Sequence, residues 1–336
     1  MKHKLFLIFL FLFTITLYSD EPSWVYLRQA QNKLESGEYA EALILARRSK
    51  QVLIREQLEL YYQQISRQYT DKIAFELRRM VDEKERELQL NDNYPAFHEL
   101  VGDIYVLTDF LDEAIREYRI ALNQKEYFEY SDKEIEINYK LAGIYQKKRE
   151  FETADIIYRE IAQKFFQLKN REYWNRIKTN ITDDATLAHV FRIYRINGIV
   201  YQKALYEIGR RSAILQRTED ALFYLVCAAI VWMTYYDTII KTENFFFSYS
   251  GPADFINFVT KSTLGSYRTN DYIIDEIMFY IGYANHLNNQ MNIRNHFFNL
   301  ATKFAEGTDR SIELRNRINY FNLVRDYRIS YNEIIF

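Results

Sequence analysis

Residues 95–122 read PAFHELVGDIYVLTDFLDEAIREYRIAL, and residues 135–162 read IEINYKLAGIYQKKREFETADIIYREIA. Laid one on the other at an offset of 40 positions, they place Tyr105 on Tyr145, Ala114 on Ala154 and Tyr118 on Tyr158, with Gly102 falling on Ala142. Each stretch is an amphipathic helix, a short polar turn (Thr108-Asp109; Lys147 to Glu150) and a second amphipathic helix. The spacing has a physical cause. Antiparallel helices joined by a tight turn approach closely only where one offers a small side chain, and aromatic rings then fill the space beside it. A third copy stands earlier in the chain, where Gly37-Glu38-Tyr39-Ala40-Glu41-Ala42 repeats the turn and Ala30 takes the small position.

Composition agrees with helices throughout. In 336 residues there are 9 Gly and 3 Pro, too few turn formers for a fold of strands and tight turns, while 48% of the chain is hydrophobic and 17% aromatic. The 44 basic residues nearly cancel the 46 acidic ones, leaving a formal charge of -2. That balance argues against a disordered acidic chain and against a nucleic-acid binder. A single cysteine, Cys227, excludes an internal disulfide and a multi-cysteine zinc site.

In the small residue and tyrosine of the first helix, and the alanine and aromatic of the second, the chain resembles the tetratricopeptide repeat family. The units at 23–56, 95–128 and 135–168 carry the resemblance; those at 202–235 (Gly209, Ala221, Leu225, Ala228) and 275–308 (Gly282, Phe298, Ala301) match at fewer positions, with Arg294 where a small residue belongs. The family's tryptophan is replaced by Tyr26, His98 and Asn138, and its closing proline is missing from all three clear copies. The resemblance implies an all-α solenoid of stacked antiparallel helix pairs over residues 20–336. Gln57 to Tyr94 and Leu168 to Tyr201 would be degenerate pairs, and Asp309 to Tyr331 a capping helix.

By the same resemblance, a groove is lined by first-helix residues three before and one after each small position: Glu99 and Asp103, Tyr139 and Gly143, Tyr206 and Arg210, together with Gln146. Members of the family that grip a peptide's terminal carboxylate use Lys and Asn there. Glu99 and Asp103 contradict that mode and favour a basic or mixed peptide, or a folded protein. A second candidate surface is the segment 241–269, which breaks the helical period with Phe245, Phe246, Phe247 and Tyr249 ahead of Gly251-Pro252. Loops held on a rigid scaffold often carry binding; alternatively the phenylalanines fold back onto a helix pair.

Lys2, His3 and Lys4 precede an apolar run from Leu5 to Phe13, and polarity returns at Tyr18 to Pro22. This pattern predicts a signal peptide over residues 1–19 and export to the periplasm. No cysteine lies nearby for lipid attachment, and an uncleaved anchor is the minority alternative. Elsewhere, the uncharged run Ala221 to Tyr236 reads as a buried central helix rather than a membrane span, with Cys227 as an inert core residue.

Catalytic patterns are missing. His98-Glu99 has no second histidine one turn on, no glycine cluster precedes Lys-Ser/Thr, and no dinucleotide fingerprint or nucleophile elbow occurs. The expectation is therefore no catalytic residue, no metal site and no cofactor, with His98, His189, His286 and His296 in solvated or capping positions, and Asp183-Asp184 answering a helix dipole. A non-catalytic scaffold for a protein or peptide partner follows, with homo-oligomerisation open. The alternative is a small-ligand carrier whose pocket is enclosed by Trp232 and Phe245 to Phe247.

Overall fold

The computed structural model of the chain describes residues 21–69, 74–181, 184–261 and 273–323. Residues 1–19, read above as a signal peptide, Asp183, residues 262–269 of the insertion and 324–331 of the final stretch lie outside them. Among the described residues all regular structure is helical, with no strand. The helices are α1 (Ser23–Glu35), α2 (Tyr39–Gln68), α3 (Ala74–Leu90), α4 (Pro95–Leu107), α5 (Leu111–Asn123), α6 (Lys133–Lys147), α7 (Phe151–Phe166) and α8 (Arg171–Thr179). They continue as α9 (Asp184–Ile193), α10 (Gln202–Ile214), α11 (Thr218–Glu243), α12 (Pro252–Lys261), α13 (Ile274–Leu287), α14 (Met291–Ala305) and α15 (Ser311–Leu323).

The chain divides into two compact units, Met1–Ile144 and Tyr145–Phe336. In the first, α1 packs on α2 and α4 on α5, with α2 also touching α3 and α4. Its core joins Ala30, Ala42 and Ala46 to Phe97, Leu100, Val101 and Ile104. In the second, α10 packs on α11 and α13 on α14; α11 and α13 also meet, α7 lies against α10, and α15 covers α14.

Five connections are copies of one turn. A helix ends at Glu35, Leu107, Lys147, Ile214 or Leu287, and two residues later Gly37, Asp109, Arg149, Gln216 or Asn289 takes a left-handed φ of 81°, 65°, 62°, 59° or 59°. The following residue then donates its backbone N–H to the carbonyl five positions back: Glu38 to Lys33, Phe110 to Tyr105, Glu150 to Tyr145, Arg217 to Ser212 and Gln290 to Asn285, all at 2.8–2.9 Å. This is the Schellman closure of a helix end, made entirely by main chain.

Seven residues before each left-handed position stands Ala30, Gly102, Ala142, Gly209 or Gly282. The three glycines are required by close contact. A Cβ on Gly102 would lie 2.6 Å from Tyr118 Cδ1, one on Gly209 2.7 Å from Leu225 Cγ, and one on Gly282 2.6 Å from Phe298 Cδ1. Each partner is sixteen positions further along the chain. Tyr118 is therefore the ring that fills the space beside the small residue, whereas Tyr105 sits edge-on to Phe110 at 6.2 Å.

Two stretches differ from expectation. Residues 57–94 do not form a helix pair: no Gly or Pro lies between Tyr39 and Gln68, so α2 continues unbroken for 30 residues and α3 stands alone beside it. Residues 168–201 form two short helices and a 3-10 turn at Ile199–Tyr201. The first of them, α8, opens on Asn170, whose side chain accepts from Tyr173 N at 2.9 Å. The stretch Thr218–Thr242 is long and apolar enough to cross a membrane by length and composition, and 72% of its most apolar window is buried within the protein. Its interior is aromatic: Trp232 meets Tyr236, Phe255 and Phe304 at 4.5, 5.5 and 5.4 Å between ring centres. At the far end, α15 buries Leu314, Ile318 and Phe321, the last against Phe279, Tyr283 and Phe298.

Candidate functional site

The first unit carries an open cleft of about 550 Å³ between α1, α4, the 3-10 turn Lys125–Tyr127 and α6. Its lining is mixed: Leu27, Pro95, Ala96 and Leu100 stand beside Arg28, Gln31, Glu99, Asp103, Glu129, Lys133 and Lys140. Two aromatic side chains stand at its edge in contact with solvent: Trp24 is 61% exposed and Tyr127 about half exposed. Trp174 and Trp232, by contrast, are buried. An indole left in water in a concave surface is a feature of recognition surfaces, because Trp gains most when a partner covers it.

Glu99 and Asp103 lie in this cleft, and α6 supplies their counter-ions. Lys140 Nζ is 2.7 Å from both Glu99 Oε1 and Asp103 Oδ2, and Lys133 Nζ is 2.9 Å from Glu99 Oε2. Burial alone would raise the Glu99 carboxyl, but Lys140 and Lys133 outweigh it and hold the group below the usual carboxylate range. The other oxygen of Asp103 accepts from Tyr118 Oη at 2.5 Å. Lining cations (Arg28, Lys133, Lys140) thus balance lining carboxylates (Glu99, Asp103, Glu129). The expected acidic groove is locally neutral, and Glu99 and Asp103 are spent on holding α4, α5 and α6 together. That removes the preference for a basic peptide.

The remaining groove candidates do not join this cleft. Tyr139 is half-buried on α6 and is not part of its lining, and Gly143 faces open space. In the second unit Tyr206 is buried, its ring 6.1 Å from that of Tyr280, so it cannot meet a ligand. Arg210 Nη2 donates to Glu207 Oε2 at 2.7 Å, and Gln146 Nε2 donates to the same oxygen at 3.3 Å. These two residues line a cavity of about 30 Å³ with Asp155 and Arg211, which is room for roughly two waters. Along α13 the charges are likewise internal: Arg317 on α15 donates to Glu276 Oε1 at 2.8 Å and lies 4.1 Å over the Phe279 ring.

The aromatic insertion splits in two. Phe247 and Tyr249 turn inward, Phe247 to Phe258 at 4.3 Å and Tyr249 to Phe255 at 4.7 Å, with the Arg195 guanidinium 4.2 Å over the Tyr249 ring. Phe245 and Phe246 turn outward, 80% and 90% exposed, packed edge-to-face at 5.6 Å. The pocket expected from Trp232 and Phe245 to Phe247 is not assembled. Trp232 is enclosed by other rings, and two of the three phenylalanines face solvent.

His98 is not solvated. It is buried between two carboxylates, with Nδ1 2.6 Å from Glu117 Oε2 and Nε2 3.0 Å from Asp92 Oδ2. Lys50, Gln124 Nε2 and the Tyr94 backbone N–H complete the shell of Asp92. Burial works against the imidazolium, but Asp92 and Glu117 reverse the balance and raise the His98 pKa; burial likewise works against the Asp92 carboxylate, and His98 and Lys50 lower it. His286 is buried too, against Phe321 and Tyr283 rather than in water, whereas His189 is exposed. Cys227 is fully buried and burial raises its thiol pKa, which leaves no thiolate to attack anything near neutrality. Among the described residues no group of three or more His, Cys, Asp or Glu is arranged to hold a metal ion.

Compared with known families and with curated proteins, the sequence matches no family model and no individual protein. The functional reading therefore rests on the residues themselves.

Proposed function

We propose that the protein is a non-catalytic interaction scaffold of the tetratricopeptide type, exported to the cell envelope, that binds a protein or peptide partner in the cleft of its first unit. Its helix pairs would stack as a solenoid, in keeping with five copies of one turn and the recurring small position. The observation that carries the reading is Trp24, solvent-exposed in the lining of an open cleft where Glu99 and Asp103 are already paired with Lys133 and Lys140. The exposed Trp24 and Tyr127 favour an occupant that brings Leu, Met or an aromatic side chain to them. Export is supported by the basic and apolar pattern of residues 2–13.

Capture from the cell envelope with residues 20–336, comparing the natural sequence with Trp24→Ala/Tyr127→Ala, tests the reading. Trp24 is 61% and Tyr127 49% exposed, so the variant keeps its fold, checked by circular dichroism. A stoichiometric partner that the variant loses, and whose binding shifts Trp24 fluorescence to the blue, supports the cleft. A partner that the variant retains, and that leaves the Trp24 emission of the natural chain unchanged, overturns it.

A further inference from the structure

The chain carries a surface that fits its own cleft. The loop from Asn244 to Gly251 is held from inside: Phe247 and Tyr249 are buried, the Phe247 backbone N–H donates to Asn244 O at 3.0 Å, and Ser250 N and Oγ donate to Asp254 Oδ2 at 3.1 and 3.2 Å. Phe245 and Phe246 add nothing to that anchoring, yet the anchored loop presents their two rings to water as a fixed wedge. Leaving a phenylalanine in water forgoes about 1.5–3 kcal/mol of burial, so an adjacent exposed pair on a braced loop marks a contact surface.

A lipid surface is the poorer match. From 237 to 254 the only cation is Lys241, against Asp237, Glu243 and Asp254, and Lys241 already pairs with Asp237 at 2.8 Å. Anionic headgroups repel a segment of net charge -2. The cleft of the first unit offers the matching partner: about 550 Å³, with a mixed lining whose formal charges cancel, and Trp24 and Tyr127 exposed in that lining for edge-to-face contact with incoming rings.

We infer that the Phe245–Phe246 wedge of one copy enters the first-unit cleft of a second copy, so that the protein self-associates head to tail. The inference rests on the cleft being a binding site. Two different surfaces of one molecule that fit each other make a heterologous contact, in which each copy offers one surface and receives the other. Two aromatic rings bury roughly 300–500 Å², about half of the ~800 Å² per partner of a stable interface. Association is therefore weak and concentration-dependent, with a dissociation constant on the order of 10–1000 μM.

Sedimentation velocity of residues 20–336 from about 5 to 500 μM tests this. The natural sequence sediments faster as concentration rises, while Phe245→Ser/Phe246→Ser and Trp24→Ala/Tyr127→Ala each stay monomeric. Mixing the two variants restores a dimer and nothing larger, because one retains only the cleft and the other only the wedge. A natural chain that stays monomeric at 500 μM overturns the inference. So does a wedge variant that still associates, or a mixture that fails to dimerise. If self-association fails while Trp24→Ala/Tyr127→Ala still loses its captured partner, only this inference falls and the cleft reading stands. If that variant keeps its partner as well, both fall.

Discussion

Gly102 and Gly143 sit on first helices of neighbouring pairs, and replacing each by alanine is expected to move stability in opposite directions. At Gly102 a new Cβ would lie 2.6 Å from Tyr118 Cδ1. The ring has little room to retreat, because its hydroxyl is bonded to Asp103 Oδ1 at 2.5 Å and Asp103 is held by Lys140 at 2.7 Å. Overpacking of this kind costs about 1–3 kcal/mol, and the gain in helix propensity returns no more than about 1. The net loss is about 1–2 kcal/mol. At Gly143 nothing lies within 4 Å of the new methyl, so only the propensity gain of about 0.5–1 kcal/mol remains. Urea unfolding followed by circular dichroism separates the two variants by about 2 kcal/mol, allowing for the two units to unfold in separate transitions. Adding Tyr118→Ala makes the Gly102→Ala step free, since it recreates the Ala30 and Ala46 combination found at the same positions of α1 and α2. A Gly102→Ala protein as stable as Gly143→Ala would refute the close-contact explanation of the glycines.

Three further outcomes are expected. Gln216→Gly and Arg149→Gly relieve left-handed backbone at φ 59° and 62° and raise the unfolding free energy from urea titration by about 0.5–1 kcal/mol each, whereas Gly37→Ala at φ 81° lowers it by a similar amount. Phe246→Ser changes stability by less than about 0.5 kcal/mol and Phe247→Ser lowers it by about 3 kcal/mol or more, read from melting curves, since only the second ring is buried. For His98 the folded pKa is raised, so its contribution is complete below the unfolded value of about 6.5 and is lost as pH rises through the folded value; for Asp92 the folded pKa is lowered, and its contribution is lost on acidification below about 3.9. Unfolding free energies measured at pH 6 and pH 9 should therefore fall for the natural chain, and the fall should shrink in His98→Gln.

The helix pairs were legible in the sequence because what sets them is local. Gly102, Gly209 and Gly282 are required by a residue sixteen positions on, and Gly37 announces a left-handed turn by its own freedom. Gln216 and Arg149 take the same backbone without any such preference, because the turn is closed by main-chain bonds that a side chain does not reveal. What a groove residue faces is another matter. Glu99 and Asp103 look acidic in sequence and are neutralised by Lys140, 41 and 37 positions away, and Glu276 meets Arg317 at a separation of 41. The buried site of His98 depends on Asp92, Glu117 and Lys50, contributed by three separate stretches of chain. Likewise the alternation of Phe245 to Tyr249 suggests two facings, but which one points inward is decided by Phe255 and Phe258 on the following helix.

Lys140 has one more consequence. It joins Glu99 to Asp103, and through Asp103 reaches the Tyr118 hydroxyl that backs the contact with Gly102. An incoming carboxylate that drew Lys140 toward itself would strip Asp103 of its cation, while Glu99 kept Lys133, and would slacken the support behind the Tyr118 ring wedged between α4 and α5. A cleft that takes up a partner would thus disfavour acidic visitors without presenting any net negative charge, because accepting one would loosen the packing that shapes it.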